Sequence, residues 1–250
     1  MTDRDQNHLP QSVNQTGVQL PIPEIGMALA IKDKISSDGP MRAKMGWGGA
    51  RNRRDRTSCY LSRKQCEGLI EAAQFAELIG LGFNRHWTVH YEKAGIVELD
   101  APQFIGHLLK LVRDYARPKA DRFTALWVRE SGEGKGGHVH ILMHLPLGRT
   151  MRGRTCKWIR LAGGTSRAGV SHVVSIAGRL AAADNGSEHY RHNLAFVLGY
   201  VLKCADIVAG EALTLRRFGE RAYIIGKRCG SSQNIGSRSR LASRAIAECL

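Results

Sequence analysis

The sequence has no CxxC pair: Cys59, Cys66, Cys156, Cys204, Cys229 and Cys249 are scattered along the chain. That spacing excludes a zinc ribbon and gives no basis for a disulfide framework, so free thiols are expected. No apolar run reaches the roughly 18 residues of a transmembrane helix. The N-terminus, MTDRDQNHLPQS, lacks the basic-then-apolar order of a signal peptide. The expectation is a cytoplasmic protein with no membrane partner. No GxxxxGK[ST] occurs, which excludes a fused P-loop helicase, and there is no internal repeat. Acids are also scarce, with 22 Asp and Glu against 37 Lys and Arg and a formal charge of +15. This balance favours a polyanionic partner, because binding phosphates releases condensed counterions.

The chain has 250 residues, 43% of them hydrophobic, enough for one domain with a sizeable core and appendages. Residues 1–56 are polar, carry scattered Pro and Gly and end in GWGGARNRRDR, which reads as a flexible basic arm. A main domain is expected over 57–210 and a basic C-terminal extension over 211–250. The spacing of Leu69, Ile70, Ala73 and Ala76 predicts a helix over 61–81 that stops at Gly80 and Gly82. A strand follows from Arg85 to Glu92. Asp100 then caps a helix with Pro102 in its first turn and Ile105, Leu108, Val112 and Tyr115 on one face. Next, RFTALWVRE and HVHILMHLP read as two strands of a hairpin joined by SGEGKGG. A basic loop spans Leu147 to Arg160, and a Gly/Ala/Ser-rich stretch of unclear structure follows it. A last helix is expected from His189 to Asp206, with Leu194, Val197, Val201 and Ala205 inward.

Period-two alternation in HVHILMHLP puts His138, His140, Leu142 and His144 on one face. Val139, Ile141, Met143 and Leu145 then form a core face. The Cα atoms of His138 and His140 would lie about 7 Å apart, close enough for both imidazoles to reach one cation. Alone, the pair fits ordinary strand histidines as well as metal ligands. Glu130 ends the preceding strand, and the hairpin would bring its carboxylate beside the pair. The alternative for Glu130 is a solvated residue pairing with Arg129 or Lys135. Two imidazoles and a carboxylate leave coordination positions open for a phosphate oxygen, which suits Mg²⁺ or, better matched to imidazole, Mn²⁺. Other HxH enzymes do not fit, because a histidine-triad hydrolase needs His where Leu142 stands and HxHxDH needs Asp-His where Leu142-Met143 stand.

Tyr200 and Lys203, three apart in NLAFVLGYVLKCAD, are neighbours on a helix face opposite its apolar stripe. A phenol with a free pKa near 10 needs a nearby cation or metal before it attacks, and Lys203 can supply one. The bland reading is a Tyr at a helix edge beside a solvated Lys. In GRTMRGRTCKWIR, Arg149, Arg152, Arg154, Lys157 and Arg160 stand without an acid around Trp158. Basic groups track a backbone and an aromatic face stacks an unpaired base, so these six are candidate contacts to single-stranded DNA, with a solvated loop as the alternative. His90 is a further candidate metal or phosphate contact, or a partly exposed strand histidine.

Together, His86-Trp87-Thr88-Val89-His90, Glu130, His138-Val139-His140 and Tyr200-Val201-Leu202-Lys203 resemble the HUH endonuclease superfamily. The match is to its single-tyrosine rolling-circle replication initiators, which carry their tyrosine after the histidines as here, and it covers roughly 85–206. The resemblance implies an α+β fold with a central antiparallel sheet of RRM-like or ferredoxin-like topology and flanking helices. It also implies a metal site of Glu130, His138 and His140, with Tyr200 as nucleophile and Lys203 beside it. The implied activity is nicking and rejoining of single-stranded or origin DNA through a 5′-phosphotyrosine, with a host helicase recruited. A related transposase, or a non-catalytic DNA-binding repressor on the same fold, are the alternatives.

Overall fold

Elements follow one another as β1 (Thr57–Ser58), α1 (Arg63–Leu78), β2 (Arg85–Val89), α2 (Ala101–Ala116), β3 (Ala125–Gly132), β4 (Gly136–Met143), α3 (Thr155–Leu161), β5 (Ser171–Ser175), α4 (Glu188–Val201), α5 (Ile207–Ala212), β6 (Ile224–Ile225), β7 (Cys229–Ser231) and α6 (Ser237–Glu248). The computed structural model describes residues 55–117, 123–132, 134–176 and 187–248. The expected arm, 1–56, lies outside the described residues except for its final two. The main sheet has the order β5-β2-β4-β3-β7, and every neighbouring pair in it is antiparallel. Its first four strands are wired β2–α2–β3–β4–α3–β5.

Each strand alternates, and both faces of the sheet are covered. Trp87, Val89, Trp127, Val139, Ile141 and Met143 meet the apolar sides of α2 and α3 on one face. Leu126, Val128 and Leu142 meet α1 and α4 on the other. The expected core face of β4 is therefore one of two. The second carries polar groups among apolar ones, which hides it from a simple alternation rule.

Local signals set both ends of α1. Ser62 and Gln65 form a capping box at the start of α1, and Gly80 follows its end at φ 72°. Helix α2 buries Phe104, Ile105, Leu108 and Val112. The Gly-rich turn between β3 and β4 closes with a tight steric fit. The ring of Tyr91 lies against Gly137, where a Cβ would come within 2.5 Å of it. Gly136 has a φ of 66°, and a Cβ there would strike the Glu92 carboxylate. Glycine at both positions lets the chain leaving β2 fold over the start of β4.

Four expectations are corrected. The segment expected as an extension over 211–250 is part of the fold as far as it is described, to residue 248: β7 is an edge strand of the main sheet, β6 pairs with β1, and Arg240 of α6 reaches Glu71 of α1 at 3.0 Å. The basic loop contains α3, which turns Trp158 and Ile159 inward. The unclear Gly/Ala/Ser stretch contains β5, paired with β2. The helix expected over His189 to Asp206, α4, ends at Val201, because the chain turns there to bring Ala205 into a parallel bridge with Leu61. No helix among the described residues is long and apolar enough to cross a membrane.

Candidate functional site

The β3–β4 register places Glu130 directly opposite His138 and Val128 opposite His140. Residues opposite one another share a face, and so do residues two apart, so Glu130, His138 and His140 project together. Nε2 of His138 and Nε2 of His140 each lie 3.3 Å from Oε2 of Glu130. One ligand atom from each of the three lies within 4.8 Å of the others, and all three side chains are buried. This group can hold a metal ion.

Protonation at the far side of each ring decides what faces the centre. Nδ1 of His138 lies 3.0 Å from the carbonyl oxygen of Gly136. A carbonyl only accepts, so Nδ1 donates, and in the neutral ring Nε2 presents a lone pair to Glu130. Nδ1 of His140 lies 3.0 Å from Oγ1 of Thr88. With Nδ1 protonated in both neutral rings, two lone pairs face a carboxylate and repel one another unless a cation stands between them. Oε1 of Glu130 and Nε2 of His140 are buried without a hydrogen-bond partner. Such orphaned acceptors and their mixed nitrogen and oxygen character suit a divalent ion.

The electrostatics favour the ligating forms of Glu130 and His140. Burial pushes the Glu130 carboxyl up, but its interactions with the His138 and His140 rings and with the Lys203 ammonium outweigh it and hold Glu130 well below the usual carboxylate range. Burial lowers the His140 pKa despite Glu130 beside it. His86, on β2, is pushed down to about 3 by burial and then by its neighbour His140. Neutral rings are what metal ligation requires.

Helix α4 brings Tyr200 to this face, its ring centroid 5.2 Å from that of His140 and 6.4 Å from that of His86. Lys203 is placed differently from expectation. It lies past the end of α4, in the turn, and is buried rather than solvated on a helix face. Its ammonium pairs with Oε2 of Glu130 and lies 4.1 Å from the centroid of the Tyr200 ring. Tyr200 also differs from expectation, packing partly buried against the apolar cluster on that face. A pocket of about 180 Å³ opens on the group, with Lys135 and Arg221 at its lining beside Tyr200 and His138. The bland partners expected for Glu130 are not used. Arg129 points to the opposite face and binds Glu98 at 2.5 Å.

The six candidate DNA contacts do not join this group. Trp158 is 5% exposed and packs with Trp87 and Tyr115 at centroid distances of 6.1 and 5.5 Å, in the core on the far side of the sheet. Its ring is closed to base stacking. Arg149 and Arg154 stack on Tyr115 at 4.6 and 4.2 Å, while Arg152, Lys157 and Arg160 are exposed. His90 stacks on His138 at 5.1 Å without joining the converging donors.

In the sequence His86 and Thr88 stand in a strand motif of the family resemblance, with no link to the metal site. Their proximity to His140 depends on the pairing of β2 with β4, which sets Thr88 opposite His140. Phe196 was also passed over: it is 62% exposed and one helical turn before Tyr200. Comparison with protein-family models, curated proteins and solved structures returned no match.

Proposed function

We propose that this protein is a metal-dependent single-strand DNA endonuclease of the HUH type, nicking and rejoining DNA through Tyr200 to initiate rolling-circle replication. The observation that carries the reading is the convergence of Glu130, His138 and His140 beside the Tyr200 ring, 5.2 Å from that of His140. The strand order β5-β2-β4-β3 supports it, since a β–α–β–β–α–β chain laid out this way is the plan of an RRM-like or ferredoxin-like sheet. The excess of basic residues supports a nucleic-acid substrate.

Glu130, His138 and His140 would hold a divalent ion, Mg²⁺ or the more imidazole-tolerant Mn²⁺, which when bound would supply Lewis-acid polarisation of the scissile phosphate. Tyr200 Oη attacks phosphorus, the bond to the 3′ oxygen breaks, and the phenol proton ends on the departing 3′-hydroxyl. The DNA is left joined to Tyr200 through its 5′ phosphate. One phosphoester replaces another, so rejoining needs no nucleotide hydrolysis. The Lys203 ammonium, 4.1 Å from the centroid of the Tyr200 ring, is placed to offset the negative charge that develops on the attacked phosphate. Lys135 and Arg221 at the pocket lining suit the phosphates flanking the cut. With no P-loop in the chain, strand separation falls to a recruited host helicase.

The test is incubation of labelled single-stranded oligonucleotides with the protein in Mn²⁺ or EDTA, resolved on a denaturing gel. A slow-migrating covalent adduct that forms in Mn²⁺ and is absent in EDTA and in Tyr200→Phe is expected. Binding without adduct across a broad oligonucleotide panel would favour a non-catalytic DNA-binding role instead.

A further inference from the structure

The triad presents two imidazoles, and their orientation is secured by different means. His138 is tied to its own chain, through Nδ1 to the carbonyl oxygen of Gly136. The Nδ1 of His140 instead faces two side chains of β2, Oγ1 of Thr88 at 3.0 Å and Nε2 of His86 at 3.0 Å. Oγ1 of Thr88 also lies 3.4 Å from Nε2 of His86. The register makes this arrangement possible, since Thr88 stands directly opposite His140 and His86 is two positions away on the same face.

A hydroxyl can accept one hydrogen bond and donate another. All three groups are satisfied when His140 Nδ1–H donates to Thr88 Oγ1 and the Thr88 hydroxyl donates to Nε2 of His86. Nε2 of His140 then carries a lone pair toward Glu130, 3.3 Å away. The opposite tautomer would aim a proton at the metal position and leave Nδ1 as an acceptor. Residues that fix the orientation and tautomer of a ligating imidazole are worth about 10- to 100-fold in metal affinity.

We infer that Thr88, backed by His86, is the positioning residue that holds His140 as the Nδ1–H tautomer with Nε2 directed into the Glu130–His138–His140 site. The inference rests on the metal reading of that triad. The Thr88 hydroxyl meets His140 and His86 rather than the Glu130 carboxylate or Tyr200, so it acts on the site through His140.

Thr88→Val removes the hydroxyl while keeping the branched shape that suits a strand, and Thr88→Ser keeps the hydroxyl while removing the methyl. Mn²⁺ titrations by calorimetry should show Thr88→Val about 10- to 100-fold weaker than wild type and Thr88→Ser close to wild type. Nitrogen NMR of the imidazoles in the metal-free protein reports the tautomer directly. His140 should be Nδ1–H in wild type and Thr88→Ser, and a mixture in Thr88→Val. Equal Mn²⁺ affinity in wild type and Thr88→Val, or an Nε2–H His140 in wild type, would overturn the inference. Wild type that binds no Mn²⁺ would instead sink the metal reading, while the tautomer spectra would still decide whether Thr88 orients His140.

Discussion

Glu130 and His138 stand directly opposite one another across the β3–β4 hairpin, with Oε2 and Nε2 3.3 Å apart. Ligands on two strands of one hairpin are prearranged by the sheet, so binding an ion costs little backbone ordering. Saturating Mn²⁺ should therefore stabilise the protein by mass action, about 2.7 kcal/mol at a concentration 100 times the dissociation constant. Glu130→Gln and His140→Ala should each abolish most of that rise in thermal unfolding scans, because each removes a ligand. A metal-induced rise of equal size in both variants would move the site elsewhere.

Lys203 makes a contrasting prediction about the metal-free protein. Its ammonium is buried against Glu130, whose carboxylate is 2% exposed as a residue. Removing one partner of a buried ion pair strands the other charge and costs about 3–5 kcal/mol, whereas removing both can be nearly neutral. Lys203→Met should be strongly destabilised without metal, and Glu130→Gln combined with Lys203→Met should recover much of the loss. Denaturant unfolding of the two single variants and the double variant measures this coupling. Additive losses would mean that the pair contributes nothing as a pair.

Much of this arrangement is legible in the sequence, and the illegible parts share a cause. Alternation in β4 gives the parity of His138 and His140, and the short Gly-rich turn gives the proximity of Glu130, because both are local. The face of α2 follows from its 3.6-residue period. Lys203 is misplaced by sequence because the stop at Val201 comes from a long-range bridge, Leu61 with Ala205, and from no Gly or Pro. The roles open to His86 and Thr88 depend on strand pairing over more than fifty positions of chain. Trp158 is misread because its neighbours are basic. Seven-residue α3 puts Lys157 and Arg160 outward and Trp158 and Ile159 inward, a pattern too short to outweigh composition.

Trp158 and the exposed cations around it should consequently separate in experiment. Trp158→Ala removes a buried aromatic and should cost about 3–5 kcal/mol of stability. Arg152→Ala, Lys157→Ala and Arg160→Ala together should leave the unfolding midpoint nearly unchanged. If these three touch phosphates, the slope of log affinity against log salt on single strands should fall by about 0.7 for each phosphate no longer neutralised. Fluorescence anisotropy at several salt concentrations measures the slope. An unchanged slope assigns the three to an ordinary solvated surface.

Phe196 should matter for single strands where Trp158 does not. It is exposed, and its position one turn before Tyr200 puts it on the same side of α4. Base stacking on an aromatic face is worth about 1–3 kcal/mol by alanine substitution. Phe196→Ala should therefore weaken oligonucleotide binding by about 5- to 150-fold with little change in folding, and Phe196→Trp should restore binding. A Phe196→Ala protein that binds and cleaves like wild type would show that the ring only shields the helix surface.

Gly137 tests how the turn supports the site. It precedes His138, and its N–H donates to the Glu92 carboxylate at 2.5 Å while the Tyr91 ring covers its α-carbon. Tyr91 has little freedom to retreat: it is fully buried, and its hydroxyl donates to Glu98 at 2.5 Å, which also holds Arg129. A methyl group at 137 must therefore displace either the ring or the start of β4. Overpacking of this kind costs about 1–3 kcal/mol. If the ring yields, Gly137→Ala loses stability but binds Mn²⁺ normally. If the strand yields, His138 moves with it, and Mn²⁺ affinity falls together with stability. The Tyr91–Glu98 tie makes the second outcome the expected one, and unfolding midpoints paired with Mn²⁺ titrations of Gly137→Ala and of Gly137→Ala combined with Tyr91→Leu distinguish the two. Relief of both defects in the double variant would identify the Tyr91 ring as the contact that sets the strand's position, whereas no relief would place the strain in the backbone itself.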